Sequence, residues 1–294
     1  MQIYSPSSRE DFSFCNRSWY LRKKGYVPRM ISYPELCGMG GSAIGKAMEI
    51  WNRALMAGTV PPVEELITAG IEELGKEYST QTGYGRTIGG GEDQEFLDSL
   101  PALVELGIRL LYRENPLKQY AILAAELAYP DAGNARIDVL VKQSDERRIV
   151  FDYKCKFGEM EEKWLNKEFE KHFQGEQRLT YTTLTGTHVF GIILVVLKPR
   201  KDKRKIDPKI IVRTSPVTDQ EKQVWLRDAQ LFTPLMDQTL LIPSPALVPG
   251  KTFPHANQYG PCKYEDACLR YALDPHMMSL DFIQITKEVQ SETK

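Results

Sequence analysis

NARIDVLVKQSDERRIVFDYK, residues Asn134–Lys154, carries two runs of apolar and β-branched residues on either side of a short polar connection, Gln143–Arg147. Such a pattern predicts two strands joined by a tight turn. With the turn centred on Asp145, Leu140 faces Val150 and Asp138 faces Asp152 across the ladder. Side chains alternate with a period of two, so Lys154 shares the face of Asp152. The other positions, Ile137, Val139, Leu140, Val141, Ile149, Val150 and Phe151, are apolar enough for a hairpin covered on both faces.

The neighbouring segments complete a sheet. Tyr120–Ala128 reads as a strand before the hairpin, Glu161–Leu184 as a long amphipathic helix after it, and His188–Leu197 as a strongly apolar strand. The basic run Lys198–Lys209 reads as a solvated loop, and a helix is expected over Asp219–Leu235. Upstream, Ser42–Met56 has helical spacing with Ser42 as N-cap, Pro61 and Pro62 open a helix over Glu64–Tyr78, and Glu95–Arg113 is helical with a kink or break at Pro101. The glycine-rich stretch Thr82–Asp93 reads as a flexible loop. Helices, a strand meander and one crossover predict an α/β fold, a mixed central β-sheet flanked by helices. One domain is expected over residues 1–294: a mainly helical part (1–115), an αβ core (116–210), and a C-terminal helix with a cysteine-bearing tail (211–294).

Composition narrows the class. At 294 residues, 42% hydrophobic and 10% aromatic, the chain can bury a core and is not a disordered polymer. A net charge of −1 excludes a uniformly basic nucleic-acid coat but not local patches. No apolar run approaches the roughly 18 residues of a membrane span, and the start, MQIYSPSSRED, has no signal-peptide core. A cytoplasmic protein without membrane partners is therefore expected. The five cysteines, Cys15, Cys37, Cys155, Cys262 and Cys268, then read as reduced thiols or metal ligands rather than disulfides, with Cys37 and Cys155 structural.

The chemistry sits on the hairpin. Burying two opposed carboxylates is costly unless a cation neutralises them. Mg²⁺ or Mn²⁺ would do so and would activate a water, and Lys154 beside it would orient that water or stabilise charge on a phosphorane. This is the chemistry of phosphodiester hydrolysis. An acidic residue two before a lysine is uninformative alone, for it recurs at Glu161, Asp207 and Glu292, and a plain Asp152–Lys154 salt bridge is the competing reading. The cross-strand register of Asp138 and the i, i+4 pair Gln177 and Tyr181 on the next helix add to the signal. Near the N-terminus, Phe12, Phe14, Trp19, Tyr20 and Tyr26 interleave with Arg17, Arg22, Lys23, Lys24 and Arg29, a pattern able to stack bases and neutralise phosphates, or merely a solvated amphipathic helix. Gly40–Ala47 imitates a phosphate-binding loop, but it lacks the final Ser or Thr, and Pro34 and Glu35 spoil the strand that should precede it.

Asp138, then Asp152-Tyr153-Lys154, then Gln177-x-x-x-Tyr181 resemble the motifs of the PD-(D/E)xK nuclease superfamily, in particular its RecB-like branch. The ends, SPSSREDFSFCNRSWYLRKKGY (Ser5–Tyr26) and CKYEDAC (Cys262–Cys268), are similar to that branch as well. The resemblance implies a mixed sheet flanked by helices and DNA cleavage with Mg²⁺ or Mn²⁺. Asp138 and Asp152, with Glu126 from the preceding strand, would hold metal. Lys154 would assist hydrolysis, and Gln177 and Tyr181 would contact DNA. It further implies an exonuclease of DNA repair, recombination or phage metabolism, acting with a helicase or recombination partner. A [4Fe–4S] cluster or Zn²⁺ would sit on Cys15, Cys262 and Cys268, with His255 as a stand-in ligand. Two positions depart from the pattern: Gly45 stands where the branch carries a metal-binding histidine, and Tyr259 where it carries a fourth cysteine. These departures leave open a catalytically weakened DNA-binding or scaffold subunit.

Overall fold

The computed structural model of the chain describes residues 4–132, 135–158, 161–197, 208–250, 256–257, 260–269, 273–274 and 278–285. The hairpin forms in the expected register, pairing Val139 with Phe151, Leu140 with Val150 and Val141 with Ile149. Its turn closes with Gln143 N–H donating to the Arg147 carbonyl at 2.9 Å. Five strands form the central sheet: β1 (Ala121–Tyr129), β2 (Ala135–Lys142), β3 (Arg148–Phe157), β4 (Val189–Leu197) and β5 (Lys209–Pro216). They lie in chain order, and β3 with β4 is the parallel pair. The crossover helices between β3 and β4 make that parallel pairing possible.

Helices α3 (Tyr33–Met56), α4 (Val63–Gly83) and α5 (Gly91–Glu114) cover one face of the sheet. The other face is covered by α6 (Glu162–Gln174), α7 (Glu176–Thr185) and α8 (Asp219–Leu240). β4 is buried along nearly its whole length, as its run of Ile, Leu and Val requires of a strand packed on both sides. Two short helices, α1 (Pro6–Phe14) and α2 (Asn16–Lys23), dock against α8 through Phe12, Trp19, Tyr20, Met236 and Val248. The C-terminal segment packs Tyr264, Ala267, Met278 and Phe282 on Leu21, and Phe282–Gln284 pairs antiparallel with Tyr26–Pro28. Apolar burial and a backbone ladder thus hold the tail. Among the described residues, no helix is long and apolar enough to cross a membrane.

Several boundaries differ from expectation. α3 starts nine residues before Ser42 because Ser32 and Glu35 cap it: the Glu35 carboxylate accepts from Ser32 N–H and Oγ–H, each at 3.0 Å. Gly40–Ala47 therefore lies inside a helix, its N–H groups spent on helical bonds, and is no phosphate loop. Gly40 serves packing, since a Cβ there would lie 2.7 Å from the Phe157 ring. The supposed loop Thr82–Asp93 shrinks, with Thr87–Ile88 pairing in parallel with Met30–Ile31 and Gly91 opening α5. The long helix expected over Glu161–Leu184 breaks at Gly175, which is extended (φ −75°, ψ 158°). β5 was hidden behind the basic run, whose residues 198–207 lie outside the described ones. Ile210, Ile211 and Val212 pair along β4 all the same.

One position tests the packing of neighbouring strands within the sheet. Gly191 on β4 lies beside Phe151, which is fully buried, and a Cβ there would sit 2.2 Å from the ring. Gly191→Ala is expected to destabilise by about 1–3 kcal/mol. Gly38→Ala, in the interior of α3 with open space around the new methyl, should instead stabilise by about 0.5–1 kcal/mol. Urea unfolding of both variants checks the pair.

Candidate active site

The β2–β3 ladder stops at Val139–Phe151, one step short of the aspartates, and from there β3 pairs with β4 alone. Asp138 and Asp152 therefore stand at a fork in the sheet, in the cross-strand register the sequence predicts. Asp138 Oδ2 accepts the Tyr153 N–H at 2.7 Å, so its carboxylate is tied to the backbone of the strand it faces. Asp152 is 2% exposed. Its Oδ1 accepts from Gln177 Nε2 at 2.8 Å, and Lys154 Nζ stands 2.6 Å from Oδ2, although off the direction of a good hydrogen bond. The same Gln177 amide donates to Tyr181 Oη at 2.8 Å. Asp138, Asp152, Lys154, Gln177 and Tyr181, scattered over 44 positions of sequence, meet at one place.

Electrostatics at the fork follow from burial. Desolvation, and then repulsion from Asp152, raise the Asp138 pKa well above the usual carboxylate range, against the pull of Lys154 and the Tyr153 N–H. Tyr181 is pushed up by burial and by both aspartates, so it stays protonated and can donate. Glu126 falls opposite Asp138 in the β1–β2 register, between the pairs Ala125–Val139 and Leu127–Ile137. It adopts φ +52°, a left-handed conformation costly for a non-glycine residue, and its Oε2 lies 3.3 Å from Arg136 Nε. Burial and the nearby Glu49 raise its pKa.

Glu49 was not anticipated from sequence. It lies one helical turn beyond Gly45 on α3, paired with Lys46 and Arg53 at 2.9 Å each. A helical reading continued past the Gly41-x-x-x-Gly45 match would have found it. At Gly45 itself, an added Cβ meets nothing within 4 Å.

The residues suit a hard divalent cation. Two carboxylates converge in a partly desolvated place, and one buried oxygen, Asp152 Oδ2, accepts no well-directed hydrogen bond. Mg²⁺ is commonly held by one or two carboxylates, with water and phosphate oxygens completing its sphere. Among the described residues, no three His, Cys, Asp or Glu side chains are gathered to hold a metal on their own. Asp138 and Asp152 are the two carboxylates that could hold such an ion, and Glu126 is opposite Asp138 in the β1–β2 register.

A buttress behind α7 also escaped sequence reading. Glu10 Oε1 accepts the first N–H of α7, from Glu176, at 2.9 Å. Arg9, 2% exposed, reaches Thr180 Oγ1 at 3.0 Å and Glu176 Oε2 at 2.9 Å. α1 thus fixes the helix that presents Gln177.

Of the aromatic residues near the N-terminus, Phe12, Trp19 and Tyr20 are buried in the core against α8 and so do not meet bases, while Phe14 and Tyr26 are half-buried. Among the cations of that segment, Arg17 donates to the Val248 carbonyl at 3.0 Å and Lys24 to that of Leu240 at 3.2 Å. Arg22 pairs with Asp11, and Lys23 lies over the Tyr4 ring. Packing thus employs these side chains within the chain. The thiols of Cys15 and Cys268 both lie near enough to Cys262 to raise its pKa, after burial. His255 and Tyr259 lie outside the described residues. Burial pushes Cys37 up to about 11 and Cys155 up to about 12, as suits inert core thiols.

Compared with known proteins, residues 3–268 match the family model described as the PD-(D/E)XK nuclease superfamily. No curated protein matches the chain.

The Asp138 carboxylate sets a pH signature. A carboxyl whose pKa is raised on folding favours the native state at low pH, and that favour is lost as pH rises through the folded value. Metal-free Asp138→Asn, which keeps an acceptor for Tyr153, should therefore exceed wild type in stability at pH 7 by about 1 kcal/mol or more. The gap should close toward pH 4, and Mn²⁺ should narrow it by stabilising wild type. Thermal melts across pH, with and without the metal, measure all three.

Proposed function

Because the chain belongs to the PD-(D/E)XK nuclease superfamily, we propose that it is a Mg²⁺- or Mn²⁺-dependent deoxyribonuclease of the RecB-like type, an exonuclease of DNA repair, recombination or phage DNA metabolism. Its partners are DNA and a helicase or recombination protein. The observation that carries the reading is Asp152 gripped by Gln177 and Lys154 at the fork that also holds Asp138.

Hydrolysis adds water across a P–O bond: the attacking water gives up a proton, and the leaving oxygen gains one. A divalent cation on Asp138 and Asp152 would supply Lewis acidity and a more acidic water. Lys154, held beside Asp152, neutralises charge gathering on the phosphoryl oxygens and orients the attacking water. Gln177 fixes the Asp152 carboxylate and is itself held by Tyr181, and this pair is the one expected to contact the DNA strand. The cysteine site of the branch, a cluster or zinc ion on Cys15, Cys262 and Cys268, is a separable part of the reading. Iron and zinc analysis of anaerobically purified protein decides it, one cluster or one zinc per chain being the supporting result.

End-labelled single- and double-stranded DNA, incubated with and without Mn²⁺, tests the activity. Wild type should cleave only with metal. Asp152→Ala and Lys154→Ala should lose about a hundredfold or more while their melts remain cooperative. Wild-type rates in either variant would overturn the assignment. Metal-independent DNA binding without cleavage would favour the scaffold reading, which Gly45 in the histidine position supports.

A further inference from the structure

Most aromatic rings among the described residues are buried or half-buried. Among the described residues two are exposed, Tyr33 at 38% and Trp164 at 51%. Tyr33 spends its hydroxyl on the Phe157 carbonyl at 2.9 Å. Trp164 is different. It stands on the first turn of α6, with Lys167 Nζ 4.7 Å and Lys163 Nζ 5.6 Å from its ring centroid. Lys163 also pairs with Glu161 at 2.8 Å.

The ring lies in line with the active site. Residues four and seven positions apart share a helix face, so Trp164, Glu168 and Lys171 form one stripe. Glu168 lies 3.3 Å from Lys156 Nζ on β3, the strand of Asp152 and Lys154. Lys171 Nζ lies 3.5 Å from the same Glu168 carboxylate, which places that ammonium beside the strand of Asp152 and Lys154. Seven residues of helix span about 10 Å, equal to about three nucleotides at the stacked rise of one strand. A strand whose scissile phosphate lies at Lys154 would pass Trp164 a few bases away, along a row of lysines.

We infer that Trp164 is a base-stacking platform for single-stranded DNA, extending the nuclease site along α6. The inference rests on the nuclease reading and supplies its substrate class. In a duplex the base faces are occupied by their neighbours. An exposed indole flanked by cations therefore suits unpaired bases, whose faces are free to stack and whose phosphates the lysines attract. The chain as a whole is nearly neutral, with a net charge of −1. Lys163 and Lys167 place positive charge at the ring itself, while Lys163, Lys156 and Lys171 also pair with Glu161 and Glu168.

Binding measured without metal separates this from catalysis. Fluorescence anisotropy of a labelled oligo(dT) in EDTA at low salt should show Trp164→Ala binding about 5- to 100-fold more weakly, the size of one base stacked on an aromatic ring. Trp164→Phe should recover most of the loss, and duplex binding should be little changed. Melting temperatures should match wild type, because the side chain is exposed. Unchanged oligo(dT) affinity in Trp164→Ala would overturn the inference, as would equal losses for single strand and duplex. Tighter binding of oligo(U) than of oligo(dT) would overturn the assignment to DNA. If wild type cleaves nothing with Mn²⁺ yet loses oligo(dT) affinity on Trp164→Ala, the nuclease reading fails and the platform stands.

Discussion

Two carboxylates that repel one another sit where the sheet divides. Asp138 and Asp152 face each other one step beyond the last β2–β3 pair, and the Asp138 carboxylate takes the Tyr153 N–H. Their proximity is unfavourable by itself: burial and mutual repulsion oppose the charged form of Asp138. Such an arrangement persists because the rest of the molecule enforces it. Val139 and Phe151 are fully buried beside the pair and fix the register. Lys154 and Gln177 hold Asp152 from either side. A positively charged ion there would turn this repulsion into attraction, and so the strain and the proposed function would have one origin.

Successive shells hold the fork together. α7 presents Gln177 and Tyr181 because Gly175 breaks the preceding helix and lets a new N-terminus form. Glu10 and Arg9 then fasten that terminus to α1, and Trp225 of α8 donates to Glu176 Oε2 at 2.9 Å. The N-terminal helices, with their internal ion pairs and buried rings, are thus structural supports for α7. On the far side of β3, Tyr153 and Cys155 pack into the α3–α5 core. The lysine between them, Lys154, is therefore held on a strand whose alternate side chains are anchored.

Much of this was legible in sequence because the hairpin is local. Its turn fixes its register, and register fixes which side chains oppose. The i, i+4 spacing of Gln177 and Tyr181 likewise survives the early end of α6. What escaped reading depends on distant segments. Glu49 reaches Glu126 only after α3 folds over β1, and Arg9 reaches α7 across a separation of 171 residues at Thr180. The early start of α3 at Tyr33 was masked by proline and glycines, which the Ser32–Glu35 cap outweighs. β5 was masked by charge, although its β-branched run was present. The aromatic residues near the N-terminus left two readings open because composition does not reveal which face a ring turns toward the core.

The account stands on Asp138 and Asp152 as donors to one divalent cation. Electron paramagnetic resonance of Mn²⁺ titrated into the metal-free protein reports that directly. The account predicts saturable binding to wild type that is abolished by Asp152→Asn and by Asp138→Asn, without loss of the folded state. Equal Mn²⁺ binding in wild type and both variants, or no binding in wild type, would contradict it.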